Sequence, residues 1–302
     1  MPHVRHVYEC PMRWADLDLL GHVNNVTYVD YLQEARIDML THHAPVRGGE
    51  ELGEGVVVVR HEVQFVRPLH LRSRPVRVEC WVTEIRAATF TMAYEIVEDP
   101  GDAEDTEGSA AERVVYVRAT TVLTPFVFAE ERPRRLSAAE KEVLGRFLHD
   151  GPEPTAPLQA LAPSEVGSAH RYPLAVRWSD VDAYGHVNNV KYVEYFQEAR
   201  IKLFEDLGRD REAGRDEWSA VVVATTDIDY LRPVLYDRGA YEVRSWVSRV
   251  GRRSYDLGGE VRDAEGSVCA RARVVLVSFD LDTERSAPMP APMRTVLERA
   301  VP

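Results

Sequence analysis

Cysteine, excess positive charge and long apolar runs are all scarce in this sequence, and each scarcity excludes a class of protein. The three cysteines, Cys10, Cys80 and Cys269, are odd in number and far apart, so neither a disulfide framework nor a CxxC metal site is expected. The formal net charge of -12 argues against a nucleic-acid-binding protein, which usually carries a basic stripe. No apolar run approaches the roughly 18 residues of a membrane-spanning helix.

The same scarcities predict where the protein resides. The stretch MPHVRHVYEC at the start of the sequence lacks the apolar core of a signal peptide, and unpaired cysteines are typical of a reducing compartment. We therefore expect a cytoplasmic globular protein, and the sequence predicts neither a metal ion nor a cofactor.

One segment occurs twice. Residues 13–36 read RWADLDLLGHVNNVTYVDYLQEAR and residues 177–200 read RWSDVDAYGHVNNVKYVEYFQEAR, with 17 of 24 positions identical. Weaker similarity follows, including an Arg-Pro pair at 67–68 and at 232–233. A period of about 160 residues is too long for a solenoid and indicates a duplicated domain. The expected arrangement is a pseudo-two-fold pair whose sheets meet edge to edge, like a symmetric dimer.

Each copy predicts one long helix against an antiparallel sheet, which is an α+β fold. Apolar side chains recur at helical spacing after the Gly/Asn-rich turn, namely Tyr28, Tyr31, Leu32, Ala35 and Met39, and then Tyr192, Tyr195, Phe196, Ala199 and Leu203. Runs rich in Val, Thr and aromatic residues predict strands at 56–67, 75–86, 88–98 and 112–124, and at 219–231, 240–250, 253–263 and 267–280. The predicted domains are 1–125 and 169–302.

Residues 126–168 are predicted to form a linker with one short helix. Ser137 and Glu140 have the spacing of a capping box, and Gly151 is expected after the helix end. A Pro-rich spacer follows, and a second short helix is expected near 291–300. The acidic, Gly-rich insert at 98–112 predicts an exposed loop.

The repeated turn supplies groups that suit acyl transfer. These are a carboxylate, an imidazole and free backbone N–H groups at a helix start, provided by Asp18, His22 and Asn25, and by Asp182, His186 and Asn189. A helix N-terminus stabilises an oxyanion, and a nearby carboxylate activates water or attacks a carbonyl. Simple capping and turn chemistry is the competing interpretation. No GxSxG motif or nearby Cys offers another nucleophile.

The pattern RWxDxDxxGHVNNVxYxxYxQEAR resembles the hotdog-fold thioesterases, specifically the 4-hydroxybenzoyl-CoA thioesterase-like group, which includes acyl-CoA thioesterases. It is also similar to the plant acyl-ACP thioesterases, which are tandem hotdogs with a RWxDxDxxxHVNN stretch. The resemblance covers both halves of the chain. It implies two hotdog domains, each a long helix wrapped by an antiparallel sheet.

The resemblance also implies roles for the repeated residues. Asp18 and Asp182 match the catalytic carboxylate, His22 and His186 match the catalytic His of the plant type, and the N–H groups near Asn25 and Asn189 would polarise the thioester carbonyl. One departure concerns the plant type, which has an Asn where this chain has Leu20 and Tyr184. That departure favours the simpler acyl-CoA type.

The other repeated polar residues have more ordinary interpretations. Asp16 and Asp180 are expected to hold the turn, and Glu34 and Glu198 to pair with a neighbouring Arg. Arg67 and Arg232 would contact CoA phosphates, which suit the guanidinium fork, or close a surface salt bridge. Two further basic stretches, 70–74 and 249–255, are available to a nucleotide.

Hydrolysis of acyl-CoA to free acid and CoA is therefore the leading hypothesis, and three alternatives stay open. One is an acyl-ACP thioesterase. Another is a hotdog enoyl-CoA hydratase or dehydratase. Enzymes resembling that group use a DxNPxH loop, in which the His follows the Asp by five residues. Here the interval from Asp18 to His22 is four and no Pro lies between them, which counts against this alternative. The third is a non-catalytic acyl-CoA-binding protein, which retention of both Asp residues disfavours. A homo-oligomer is compatible with each hypothesis.

Overall fold

The computed structural model describes residues 4–43, 55–99, 113–160, 167–209, 218–236 and 239–302. The chain divides into two compact units, 1–155 and 156–302. Most of the predicted loop at 98–112, and residues 161–166 of the predicted spacer, lie outside the described residues. None of the helices in the described ranges combines the length and the apolar character needed to cross a membrane.

The first unit surrounds one long helix with an antiparallel sheet. Its elements are β1 (His6–Cys10), α1 (Asn25–His43), β2 (Val56–Phe65), β3 (Val76–Ile85), β4 (Phe90–Glu98), β5 (Val114–Val127), β6 (Arg132–Pro133) and α2 (Ala138–Gly145). Neighbouring strands follow the order β1-β3-β4-β5-β2, and all of these pairs are antiparallel.

The second unit repeats this order. Its elements are β7 (His170–Leu174), α3 (Asn189–Arg209), β8 (Ala220–Tyr230), β9 (Tyr241–Val250), β10 (Ser254–Arg262), β11 (Val268–Asp280), β12 (Arg285–Ser286) and α4 (Ala291–Arg299). The strand order β7-β9-β10-β11-β8 matches the first unit strand by strand. The α+β class and the predicted strand positions are confirmed.

The predicted helical stripes face the cores of the two units. All ten residues of the two stripes are buried, and Leu32 and Ala35 are fully buried. Burying one Leu side chain contributes roughly 1.5–3 kcal/mol, so the stripe is the main force that holds α1 on its sheet. The Ala35 carbonyl also accepts a hydrogen bond from the Cys80 thiol of β3 at 3.7 Å.

Helix α2 packs within the first unit rather than standing apart from it. The capping box is confirmed, because Ser137 Oγ accepts the Glu140 N–H at 3.2 Å while Glu140 accepts the Ser137 N–H at 2.7 Å. The expected end before Gly151 is wrong, since the helix ends at Gly145. The backbone of Phe147 and His149 then bonds to Val82 of β3, and this pairing draws the chain out of the helix. The corresponding helix α4 lies where it was expected.

The two cores differ where α1 and α3 meet the sheet. Trp81 is paired with Ala93, and Trp246 with Gly258, so the next residues, Tyr94 and Gly259, occupy matching places. A Cβ on Gly259 would lie 2.8 Å from the Phe196 ring. The helix position that matches Phe196 is Leu32 in the first unit. The first unit therefore combines a smaller helix residue with Tyr94, and the second a larger one with glycine.

Candidate active site

The turn between Asp18 and His22 is closed by its own backbone. The Asp18 N–H donates to the His22 carbonyl at 2.8 Å, and the Gly21 N–H donates to the Asp18 carbonyl at 3.1 Å. Asp18 Oδ1 accepts the backbone N–H groups of Leu20 at 2.8 Å and His22 at 3.2 Å. Gly21 has φ of 76°, a left-handed conformation that glycine adopts without steric cost. These two bonds hold the carboxylate through one oxygen, and the turn donates no hydrogen bond to the other.

The start of α1 adjoins this turn. The Asn24 N–H donates to the Asp16 carbonyl at 2.8 Å, and Asn24 Oδ1 accepts the Val26 N–H at 2.9 Å. Asn24 is therefore the N-cap. The N–H of Asn25, the first helical residue, belongs to the donors that an α-helix cannot satisfy internally. Asp18 and this donor are held on the same turn-to-helix junction, as the sequence predicted.

Asp16 stabilises the junction between the turn and α1 through hydrogen bonds. Only 2% of Asp16 is exposed, and its carboxylate accepts the Arg13 N–H at 2.6 Å and the Tyr31 hydroxyl at 2.6 Å. Asp180 makes the same pair of bonds, to Arg177 at 2.8 Å and Tyr195 at 2.7 Å. The expectation that these acids are structural is consistent with this geometry, because both carboxylates are buried and hydrogen-bonded within the junction.

The second copy of the turn reproduces the first. The Asp182 N–H donates to the His186 carbonyl at 2.9 Å, and Gly185 has φ of 81°. Burial raises the pKa of the Asp182 carboxyl, while the backbone N–H groups of Tyr184 and His186, and the charge of His186, oppose that rise. A carboxylate with a raised pKa accepts a proton more readily near neutral pH. At the start of α3, Asn188 caps the Val190 N–H at 2.9 Å, which leaves the Asn189 N–H in the equivalent position.

A strand end lies against each turn. The Val23 N–H donates to the Leu69 carbonyl at 2.8 Å, and the Val187 N–H donates to the Val234 carbonyl at 2.9 Å. Arg67 and Arg232 precede these carbonyls by two residues, so both lie close to the repeated turn. In the first unit the His22 ring, with 8% of the residue exposed, lies 4.9 Å from the ring of His70.

The guanidinium groups of Arg67 and Arg232 are available to an anion. Both residues are exposed, and within the described ranges no carboxylate lies within salt-bridge distance of either. The surface salt bridge considered for them is therefore absent from that part of the chain. The basic stretch at 70–74 differs, because Arg72 and Arg74 both pair with Glu98. Glu34 and Glu198 are exposed, and neither forms a salt bridge among the described residues. Burial nevertheless lowers the pKa of the neighbouring Arg200, and the charge of Glu198 opposes that change.

The sequence prediction missed a repeated exposed aromatic residue. Trp14 is 79% exposed and Trp178 is 74% exposed, and each begins the short 3-10 turn that ends at the buried Asp16 or Asp180. The Trp178 ring makes an edge contact with the exposed Tyr236 at 5.5 Å. The signal available in the sequence was the retention of this Trp in both copies.

Comparison with known proteins gives matches to both halves. A family model described as Thioesterase-like superfamily matches residues 12–147 and 176–297. Long-chain acyl-CoA thioesterase FadM of Escherichia coli (strain K12) is 30% identical over 135 residues, covering 42% of this chain and 96% of FadM. Acyl-CoA thioester hydrolase YbgC of Escherichia coli O157:H7 is 26% identical over 110 residues, covering 36% of this chain and 81% of YbgC. The solved 12:0-ACP thioesterase from Umbellularia californica has a TM-score of 0.68 at 18% identity, covering 90% of this chain and 93% of that one. These findings confirm two hotdog domains.

Proposed function

Since the chain belongs to the Thioesterase-like superfamily, we propose that it hydrolyses acyl-CoA to a free acid and CoA, with Asp18 and Asp182 as general bases. It is a thioester hydrolase, as the family and its acyl-CoA thioesterase relatives establish. One observation carries the finer assignment. In both copies a carboxylate is held through one oxygen by its own turn, directly before a helix start with a free N–H.

The proposed reaction uses the two ends of this junction. The free carboxylate oxygen of Asp18 or Asp182 removes a proton from water as the water oxygen attacks the thioester carbonyl carbon. The carbonyl oxygen gains negative charge and is stabilised by the backbone N–H of Asn25 or Asn189 and by the positive end of the helix dipole. When the carbon–sulfur bond breaks, the CoA thiolate takes a proton. We assign that proton to His22 or His186, or to the aspartic acid itself.

Recognition of CoA is assigned to the strand end beside each turn. Arg67 and Arg232 are exposed, lack a carboxylate partner in the described ranges and lie close to the turn, so a phosphate group could bind their planar fork. In the second unit the exposed Trp178 and Tyr236 offer ring faces on which an adenine base stacks. The carrier is therefore proposed to be CoA, while acyl carrier protein is the alternative.

The direct test is a thiol-release assay of the full chain with a panel of acyl-CoAs, alongside the same acyl groups on acyl carrier protein. We expect stoichiometric thiol release from acyl-CoA, and loss of that release in the Asp18→Asn/Asp182→Asn double variant. Thiol release from acyl carrier protein alone would reassign the carrier. A change in enoyl-CoA absorbance without thiol release would instead indicate a hydratase. A rapid burst of acyl-enzyme would indicate that the carboxylate acts as nucleophile rather than base.

A further inference from the structure

Each long helix carries an Arg at one position of the repeated segment, Arg36 in α1 and Arg200 in α3. Arg36 of α1 is only 6% exposed, and its Nη1 atom has no hydrogen-bond partner. Within the described residues no carboxylate forms an ion pair with it. A guanidinium stays protonated in proteins, and burying an unpaired charge costs several kcal/mol. We therefore expect a negatively charged group from outside the chain to compensate this buried cation.

The neighbours of Arg36 are polar and neutral. His61 of β2 is 1% exposed, and burial, reinforced by the charge of Arg36, lowers its pKa to about 3. The His61 ring uses Nδ1 to bond Thr121 at 2.8 Å, but its Nε2 atom has no partner. Tyr94 is 1% exposed, and the charge of Arg36 opposes the rise that burial gives its pKa. The cluster therefore keeps a net positive charge and two unsatisfied polar atoms.

The second unit also places an Arg beside buried polar groups, but the neighbouring side chains differ. Arg200 matches Arg36 in the repeated segment but is only partly buried. Burial lowers its pKa, and the nearby groups of Tyr255 and Glu198 oppose that change. The Tyr255 hydroxyl and the Thr226 hydroxyl are both buried without a hydrogen-bond partner. Thr226 occupies the strand position of His61. Both units thus place a guanidinium near buried polar atoms that have no hydrogen-bond partner, but only Arg36 is itself buried.

The position of Arg36 relates this cluster to the catalytic turn. Tyr28, Leu32 and Arg36 are spaced four residues apart, so they form one row on the buried face of α1. The charge of Asp18 contributes to the raised pKa of the Tyr28 hydroxyl, which places the Tyr28 end of the row near the proposed base. Arg36 lies just over two turns further on, about 12 Å along the helix.

We propose that Arg36, with His61, and Arg200 in the second unit bind a carboxylate at the far end of the acyl chain. The preferred substrates would then be thioesters of dicarboxylic acids rather than of plain fatty acids. A carboxylate oxygen would satisfy the free Nη1 of Arg36, and the second oxygen would accept from His61 Nε2–H. This inference rests on the proposed thioesterase function for its substrate, but the anion site itself does not depend on turnover.

The test compares decanedioyl-CoA with decanoyl-CoA, which share one chain length and differ in the terminal carboxylate. For the full chain, kcat/KM should favour decanedioyl-CoA. The Arg36→Met/Arg200→Met variant should lower that preference on the order of 10-fold or more, because a charge-assisted bond is lost, while decanoyl-CoA turnover is retained. Arg36→Lys/Arg200→Lys keeps the charge and should retain part of the preference. A preference for decanoyl-CoA in the unmodified chain, or a ratio unchanged by the Met substitutions, would overturn the proposal.

A binding measurement separates this inference from the proposed function. Free decanedioate should raise the melting temperature of the unmodified chain by mass action more than decanoate does, and the Met variant should lose that difference. If no thioester is hydrolysed but the difference remains, the thioesterase proposal fails and the anion site stands. Equal shifts for the two acids mean that ordered water fills the cluster, which refutes the anion site. This comparison in the unmodified chain decides the matter even if the Met variant does not fold.

Discussion

Asp18 and His22 are bonded to each other twice, through the Asp18 N–H to the His22 carbonyl at 2.8 Å and through the His22 N–H to Asp18 Oδ1 at 3.2 Å. The pair closes the turn without using the second carboxylate oxygen. Because an amide oxygen accepts the same N–H bonds, Asn at position 18 preserves the turn and removes only the base. Substitution of Asp by Asn therefore tests the role of the base without disturbing the turn.

Two active sites in one chain predict a particular pattern of losses. Asp18→Asn or Asp182→Asn alone should leave a substantial fraction of thiol release, in proportions that depend on the acyl group, because Leu20 and Tyr184 differ between the turns. The double variant should lose on the order of 100- to 10,000-fold in kcat, the range for a positioned acid-base group. If one single variant abolishes activity on every substrate and the other has no effect, one half is only a scaffold.

The oxyanion role of Asn25 and Asn189 predicts a difference between two substitutions at one position. Asn25→Ala keeps the backbone N–H and should cost less than loss of the acid. Asn25→Pro deletes the donor and should lower kcat at that site by roughly 100-fold. Proline is well tolerated as the first residue of a helix, so the fold should survive, which circular dichroism checks. The measurement uses the Asp182→Asn background, and Asn189 is tested with Asp18→Asn. Similar kcat values for Ala and Pro would rule out a backbone role.

The different packing of the two helices predicts a compensating pair of substitutions. Gly259→Ala places a methyl group 2.8 Å from the Phe196 ring, so overpacking should reduce the free energy of unfolding by about 1–3 kcal/mol. Adding Phe196→Leu, which copies Leu32 of the first unit, should recover part of that loss. Denaturant unfolding of the two single variants and the double variant measures the coupling. Strictly additive effects would show that the two residues do not compete for space.

The sequence predicted the fold well because its signals are local. The stripe from Tyr28 to Met39 has the period of a helix, and residues of a stripe must be buried whatever they pack against. Strand positions followed from β-branched runs between turns. The end of α2 was missed because it is set by tertiary pairing: the residues after Gly145 bond to Val82 of β3, more than sixty residues earlier. No local sequence pattern shows that pairing with β3 is favoured over continuing the helix.

The candidate site was predictable in its residues but not in its surroundings. Repetition identified Asp18, His22 and Asn25, and the structure brings their backbone groups to one junction. Arg36 also lies in the repeated segment but was not singled out from the sequence. Its lack of an acidic partner among the described residues is visible only in three dimensions, because the residues around it come from β2, β4 and β5. The exposure of Trp178 likewise depends on what the fold leaves uncovered. Sequence reasoning treats an aromatic residue as a core residue by default.

The raised pKa of Asp182 predicts a pH dependence in the second unit. The general base must be ionised, so in the Asp18→Asn background kcat/KM should fall as pH drops through a value above the 3.8 of an ordinary aspartate. The effect on stability has the opposite sign, since folding favours the protonated form: that contribution is present at low pH and lost as pH rises through the raised pKa. Asp182→Asn should therefore leave the melting temperature at neutral pH unchanged or higher while activity falls. A large drop in melting temperature would mean that the carboxylate is a structural group.

Recognition of CoA at the second strand end predicts losses that depend on the nucleotide. Arg232→Ala and Trp178→Ala should each raise KM for acyl-CoA on the order of 10-fold, through a lost charge-assisted bond and a lost stacking face respectively. The Arg232 effect should shrink at high salt, because the group is exposed and screened. Both variants are measured in the Asp18→Asn background, so that the second turn carries the signal.

The matched control for this prediction is the substrate rather than another variant. Acyl-pantetheine has the same reacting thioester but lacks the nucleotide, so neither substitution should change its KM or kcat. Equal losses on acyl-CoA and acyl-pantetheine would show that Arg232 and Trp178 support the turn around Asp182 and do not bind the carrier. Trp178 begins the 3-10 turn that ends at buried Asp180. Its substitution would then act by disturbing that turn. A selective loss on acyl-CoA instead requires direct contact with the nucleotide, since the reacting atoms of the two substrates are identical.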